Sequence, residues 1–184
     1  DQSLALRILA DGQSVLLTGA AGSGKTYVLN EFIRRARERG KKVAVTATTG
    51  LAATHLNGST IHSWSGIGIH EQLHPKFHES LSQARRDTIQ KTNILVIDEI
   101  SMLHDYRLDL VDTLTRAVRN RDEPFGGLQV VLCGDFFQLP PVNRRDARVG
   151  GFVVNSTAWR ELNPVICYLN EQHRQDDQTF LGIL

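Results

Sequence analysis

The sequence predicts a doubly wound α/β domain, with a mostly parallel sheet and helices on both faces. Three observations carry that reading. Short apolar runs alternate with amphipathic helical stretches, the runs are continuously apolar rather than alternating, and a glycine-rich turn joins the first run to the first helix.

SVLLTG at 14–19 opens the series, and KVAVTA at 42–47, NILVIDE at 93–99, LQVVLCG at 128–134 and PVICYL at 164–169 continue it. Strands apolar on both faces are expected to lie buried between helix layers. Between the first two, TYVLNEFIRRARERG sets Val28, Leu29, Phe32, Ile33 and Ala36 at helical spacing, with Gly40 as the stop. A second helix is expected over 105–119, where Leu108, Val111, Leu114, Thr115 and Val118 share a face, and PFGG at 124–127 then turns the chain. The stretch 66–92 is polar, irregular and rich in histidine, and reads as a surface excursion rather than core. His70, His74 and His78 recur at intervals of four, but Pro75 breaks the helix that would align them and no nearby acid or cysteine completes a metal set.

The 184 residues suit one domain, and 41% apolar residues with 15 glycines suffice for a substantial core. Twenty-one basic against 20 acidic residues leave a net charge of +1, so no strong overall field attracts nucleic acid or anionic membrane. Any polyanion must be held by a local site. Cys133 and Cys167 each sit in an apolar run, without metal or disulfide spacing, which points to a reducing, intracellular compartment. No apolar stretch of about 18 residues and no signal segment is present, so no membrane partner is expected. The first residue is Asp1 rather than Met, which suggests a processed chain or a piece of something longer.

Gly19, Ala20, Ala21, Gly22, Ser23, Gly24, Lys25 and Thr26 spell GAAGSGKT, a full match to G-x-x-x-x-G-K-[ST], between a predicted strand and a predicted helix. Glycines let successive N–H groups and the helix N-terminus face phosphates. Lys25 is then placed to reach the β- and γ-phosphates of ATP, and Thr26 to offer its hydroxyl to Mg²⁺. ILVIDE at 94–99 ends an apolar strand in two acids: Asp98 at the carboxyl edge to hold the metal, Glu99 to polarise the attacking water. GDFFQLPPV at 134–142 brings Asp135 and Gln138 to the same edge, with Gln138 a candidate sensor of the γ-phosphate.

These motifs, together with TATTGLAA, GSTIHSW and LNEQHRQ, resemble the motor core of the Pif (petite-integration-frequency) helicases, superfamily-one enzymes moving 5′ to 3′ on DNA. MLHDYRLDLVDTLTRAVRNRDEPFGG is similar to that family's own signature segment, and the resemblance covers nearly the whole chain. It implies a RecA-like P-loop NTPase domain. It implies adenine recognition by Gln2, a γ-phosphate contact for Arg174, and single-stranded DNA contacts from Thr48, Thr49 and Gly50 with His62, Ser63 and Trp64, the two rings offering stacking faces. A competing reading places Trp64 in the core. DNA junctions as substrates, roles in repair, recombination and telomere maintenance, and a monomeric state are further expectations from the resemblance. So is a cytoplasmic location in a bacterium, or a nuclear or mitochondrial one in a eukaryote.

Helicases of this kind hydrolyse ATP between two RecA-like domains, so residues 1–184 are expected to be the first lobe only, with a second lobe in the full-length chain as partner. Such a lobe should show weak ATPase and no unwinding. Two other readings stay open: a non-motor P-loop switch or assembly module, and, more weakly, a small-molecule phosphotransferase.

Overall fold

The computed structural model describes residues 1–136 and 141–170. Six strands form one all-parallel sheet: β1 (Val15–Thr18), β2 (Val43–Ala47), β3 (Ser59–Thr60), β4 (Ile94–Asp98), β5 (Gln129–Gly134) and β6 (Val165–Tyr168), in spatial order β3-β2-β4-β5-β1-β6. Side chains alternate across the sheet. Leu16, Leu95, Ile97, Val130 and Leu132 enter one buried cluster, while Val15, Leu17, Ile94, Val96, Val131 and Cys133 enter the other. The second cluster is closed by α1 (Gln2–Ala10) and α2 (Lys25–Glu38). On the other face lie α4 (Ile61–Ser65), α6 (Gln83–Lys91), α7 (Asp105–Arg119) and α8 (Thr157–Leu162); α3 (Gly50–His55) follows β2, and α5 (Phe77–Ser80) contacts α7.

The predicted faces of α2 and α7 are the buried ones. Three elements depart from expectation. Helix α1 went unread in the sequence because its pattern is short; its start is capped by the Asp1 carboxylate, which accepts from the Ser3 N–H at 2.8 Å. Strand β6 is not buried on both faces, since it is the outer edge and leaves Ile166 66% exposed. Residues 66–92 are not simply surface: Ile67 and Ile89 are fully buried, Leu81 nearly so, and α6 is a regular helix capped by Ser82. Composition hides this because α6 buries a single apolar side chain, Ile89, and is otherwise polar. The histidines form no metal cluster among the described residues; His70 Nδ1 sits 2.8 Å from the Ile67 carbonyl instead.

The signature segment makes a clasp on this second face. PFGG is a 3₁₀ turn in which Phe125, fully buried, takes a left-handed φ of 53°, and its N–H donates to Asp112 Oδ1 of α7 at 2.7 Å. At the end of α7, the Arg119 guanidinium donates to the carbonyls of Gly126 (2.8 Å), Ile89 (3.0 Å), Gln90 (3.1 Å) and Thr92 (2.7 Å). One side chain thus joins the PFGG turn to the carbonyls that end α6, a helix C-terminus where positive charge is favoured.

Candidate functional site

The phosphate loop follows from where β1 must end. Gly19 has φ +148°, and a Cβ there would lie 2.3 Å from the Leu169 carbonyl oxygen at the end of β6, so only glycine fits. The turn then delivers the chain into α2, whose N-cap, Gly24, offers no side-chain hydrogen bond. The first N–H groups of α2 therefore face the cleft without a capping oxygen, which is what an anion requires. The Lys25 ammonium lies over the loop, donating to the carbonyls of Gly19 and of Ala20, the latter at 3.0 Å. Ser23 Oγ is buried and finds no partner among the described residues. A cleft of about 630 Å³ opens beside residues 21–22 and 24–26, walled by Gln2 and Tyr27. Gln2 lines this cleft. Tyr27, 59% exposed, shares the cleft, and its sequence signal is an aromatic directly after Gly-Lys-Thr.

Asp98 ends β4 on the face shared with Cys133, and its Oδ1 accepts the Glu99 N–H at 2.9 Å. Glu99 takes a left-handed φ of 56°, a cost of about 1–3 kcal/mol for a non-glycine residue, which turns the chain into the following 3₁₀ turn. Burial pushes the Glu99 carboxyl above the usual glutamate range; the Asp98 and Asp135 charges add to this, and Lys25 opposes it. Lys25, Asp98, Glu99 and Asp135 therefore share one electrostatic environment, and a carboxylate with raised proton affinity is a stronger general base. Beneath it, burial pushes the Cys133 thiol well up, reinforced by the hydrogen-bonded Asp98 carboxylate, so this cysteine is an inert floor. Gly134 lets β5 pass close by, since a Cβ there would lie 3.1 Å from the Ile100 backbone N. Gln138 and Arg174 lie outside the described residues.

The residues expected to touch DNA divide. Thr48 is committed elsewhere: its N–H donates to the Asp98 carbonyl at 3.2 Å, and its hydroxyl to the Glu99 carbonyl at 2.8 Å. It braces the acid pair, a role that spacing could not reveal. Thr49 caps α3, its Oγ1 accepting from the Ala52 N–H at 3.2 Å, and exposed Gly50 opens that helix with clear space around it. Ser63 is exposed, with its N–H on Thr60 Oγ1. His62 is half-buried, and burial, followed by the nearby Arg107 charge, pulls its pKa down. Trp64 packs against the core cluster with its Nε1 buried and unpartnered among the described residues, so the structure supports a packing role over a free stacking face.

Comparison with known proteins agrees with this geometry. The PIF1-like helicase family model matches residues 3–180. ATP-dependent DNA helicase Pif1 of Psychrobacter sp. is 54% identical over 177 residues, covering 95% of this chain and 27% of that protein. The mouse ATP-dependent DNA helicase PIF1 is 38% identical over 188 residues, 100% of this chain and 28% of that one. The chain thus spans little more than a quarter of these relatives. Among solved structures, Pif1 helicase from Candida albicans superposes with a TM-score of 0.86 at 36% identity, over 98% of this chain and 42% of that one. Pif1 helicase from Bacteroides, solved with ADP-AlF3 and single-stranded DNA, gives 0.81 at 34% identity, over 99% and 44%. With a phosphate loop, an acid pair and a family-wide match over nearly its full length, the chain belongs to the PIF1-like helicases.

Proposed function

We propose that the chain is the ATP-binding lobe of a Pif1-type DNA helicase, holding Mg·ATP and single-stranded DNA and coupling hydrolysis to 5′ to 3′ translocation and unwinding in a protein of its relatives' length. The observation that carries this reading is the convergence of Lys25 with Asp98, Glu99 and Asp135 at one sheet edge. The uncapped start of α2 and the unpartnered Ser23 hydroxyl fit a polyphosphate, and the exposed Thr26 with Asp98 supplies the hard oxygen donors that Mg²⁺ takes. When bound, the metal would offset charge on the phosphate oxygens. Lys25 orients the terminal phosphates, Glu99 draws a proton from the attacking water, and Thr48 holds the backbone that aims Glu99. Gln2 and the exposed Tyr27 ring, which line the cleft, are the groups we assign to the adenine. Single-stranded DNA crosses the carboxyl edge at Thr49, Gly50 and Ser63, and a second lobe in the longer chain supplies the arginine that completes hydrolysis. Relatives solved with a nucleotide analogue and single-stranded DNA favour this motor over a non-motor switch. Two free, buried cysteines support an intracellular setting. Among the described residues no helix is long and apolar enough to cross a membrane.

The test is Lys25→Ala, read first as Mg·nucleotide binding by fluorescence titration. Binding should fall by at least about tenfold, and DNA-stimulated ATPase in the longer protein should disappear. Wild-type turnover in the variant would refute the site.

A further inference from the structure

We propose that the uncovered flank of β2 is a docking edge for an extended acidic segment of a partner protein. Strand β4 pairs with β2 along its whole length, from Val43 to Ala47, whereas β3 pairs only with Thr46 and Ala47 on the other side. Ahead of that pairing, the outer flank at Val43 and Ala44 has no paired strand among the described residues. Lys42 turns its carbonyl toward β4, accepting from Asn93 N–H at 2.9 Å, so by alternation Val43 presents its N–H and C=O outward and Val45 its N–H, while the Thr46–Ser59 register gives the Val45 carbonyl to β3. The chain enters β3 against the Val45 carbonyl, where a Cβ on Gly58 would lie 2.3 Å from its oxygen, so the open stretch ends there. Along this flank runs a groove of about 760 Å³ with Trp64 and the β2 side chains as its apolar wall.

The rim fixes the chemistry of the occupant. Arg37, Lys41, Lys42 and Lys91 line it, all exposed, and no carboxylate does. A second copy of this chain would bring the same cations to the same edge and be repelled, as edge lysines generally repel self-pairing. Nucleic acid could neutralise the lysines but has no alternating N–H and C=O row to pair with a strand. An extended peptide with carboxylates at alternate positions satisfies both the backbone and the charges. Lys42 and Val43 begin β2, while the nucleotide acids end the strands, so an occupant here leaves the cleft beside Lys25 accessible. The inference does not rest on the helicase reading.

The probe is a fluorescein-labelled nine-residue peptide alternating Glu with Val and Thr, titrated against the 184-residue chain by anisotropy. Its companions are a twin with the Val amides N-methylated, a Lys-for-Glu version and a thymidine oligonucleotide. The acidic peptide should bind and slow amide exchange at Val43 and Val45. The N-methylated twin should bind about tenfold more weakly or worse, as should the acidic peptide on K42E/K91E, with nucleotide binding unchanged. The Lys peptide should recover affinity on that variant. No binding of the acidic peptide overturns the proposal. So does equal binding of the N-methylated twin, which would mean charge alone, and this arm stands even if the variant fails to fold. A thymidine oligonucleotide displacing the peptide more tightly, and losing affinity in K42E/K91E, would make the groove a nucleic-acid track. Binding lost in a protein of the relatives' full length would mean the edge is covered in cis.

Discussion

Arg119→Ala should destabilise the domain by about 3 kcal/mol, far more than a half-exposed arginine usually contributes. The guanidinium reaches four backbone carbonyls, Gly126 from Nε and the other three from the two hydrogens of Nη1; the contacts to Gly126, Ile89 and Thr92 are partly buried and that to Gln90 is exposed. A bond from a charged donor contributes about 1.5–3 kcal/mol net, and leaving a buried carbonyl unpaired costs about 1–3 kcal/mol. The gains from one side chain do not add, and burial works against the charge: desolvation is the leading cause holding the Arg119 pKa below its usual value. Counting two of the three protected bonds gives the figure above. Arg119→Lys keeps the charge but cannot span both the PFGG turn and the end of α6, so it should lose more than half as much. Guanidinium chloride unfolding measures both, and hydrogen exchange should show the last turn of α6 opening first. A loss below about 1 kcal/mol for Arg119→Ala, or no loss for Arg119→Lys, would refute the clasp.

Glu99→Gln should stabilise the domain near neutral pH while abolishing hydrolysis. Because the folded carboxyl binds its proton more tightly than the unfolded one, stability present below the ordinary glutamate pKa is lost as pH rises through the raised value, and glutamine is spared that loss. Unfolding at about pH 4 and pH 7 should show the advantage only at the higher pH; an equal effect at both would sink the reasoning. Trp64→Ala should cost about 2 kcal/mol, the value for a large core aromatic discounted for partial exposure, with DNA affinity per folded molecule unchanged. A selective fall in affinity measured by anisotropy at unchanged unfolding midpoint would restore it as a stacking residue. Thr48→Val removes the hydroxyl bond to the Glu99 carbonyl and should cost about 1 kcal/mol, with kcat of the longer enzyme falling more than KM for ATP. An unchanged kcat would mean Glu99 is aimed by its own backbone alone.

The parallel sheet was legible because five of its six strands are continuous apolar runs, and the phosphate loop because few folds other than a strand-to-helix turn use that glycine spacing. The two-residue β3 carries no pattern of its own; it exists because α3 returns the chain beside Thr46 and Ala47. In the stretch 66–92, Ile67, Leu81 and Ile89 are too far apart in sequence to show any period, yet they meet under α7. For the site, Lys25, Asp98 and Glu99 announce themselves by type and position. Thr48 does not, since its two bonds to the acid pair depend on β2 lying beside β4, a long-range fact of topology. Trp64 shows the limit from the other side: an aromatic in such a motif has the same sequence signature whether its ring faces solvent or the sheet.

The close approach of Gly19 to Leu169 ties the phosphate loop to the end of β6. Leu169 N–H donates to the Thr18 carbonyl at 2.8 Å, and its own carbonyl occupies the space where a Gly19 side chain would stand. The chain leaving β6 is thus fastened one residue from the start of the phosphate loop, with no compliant segment between. A shift of the phosphate loop at Gly19 is therefore passed to Leu169, and a shift of Leu169 to the loop. In mechanical terms the loop and the exit strand are two ends of one short lever.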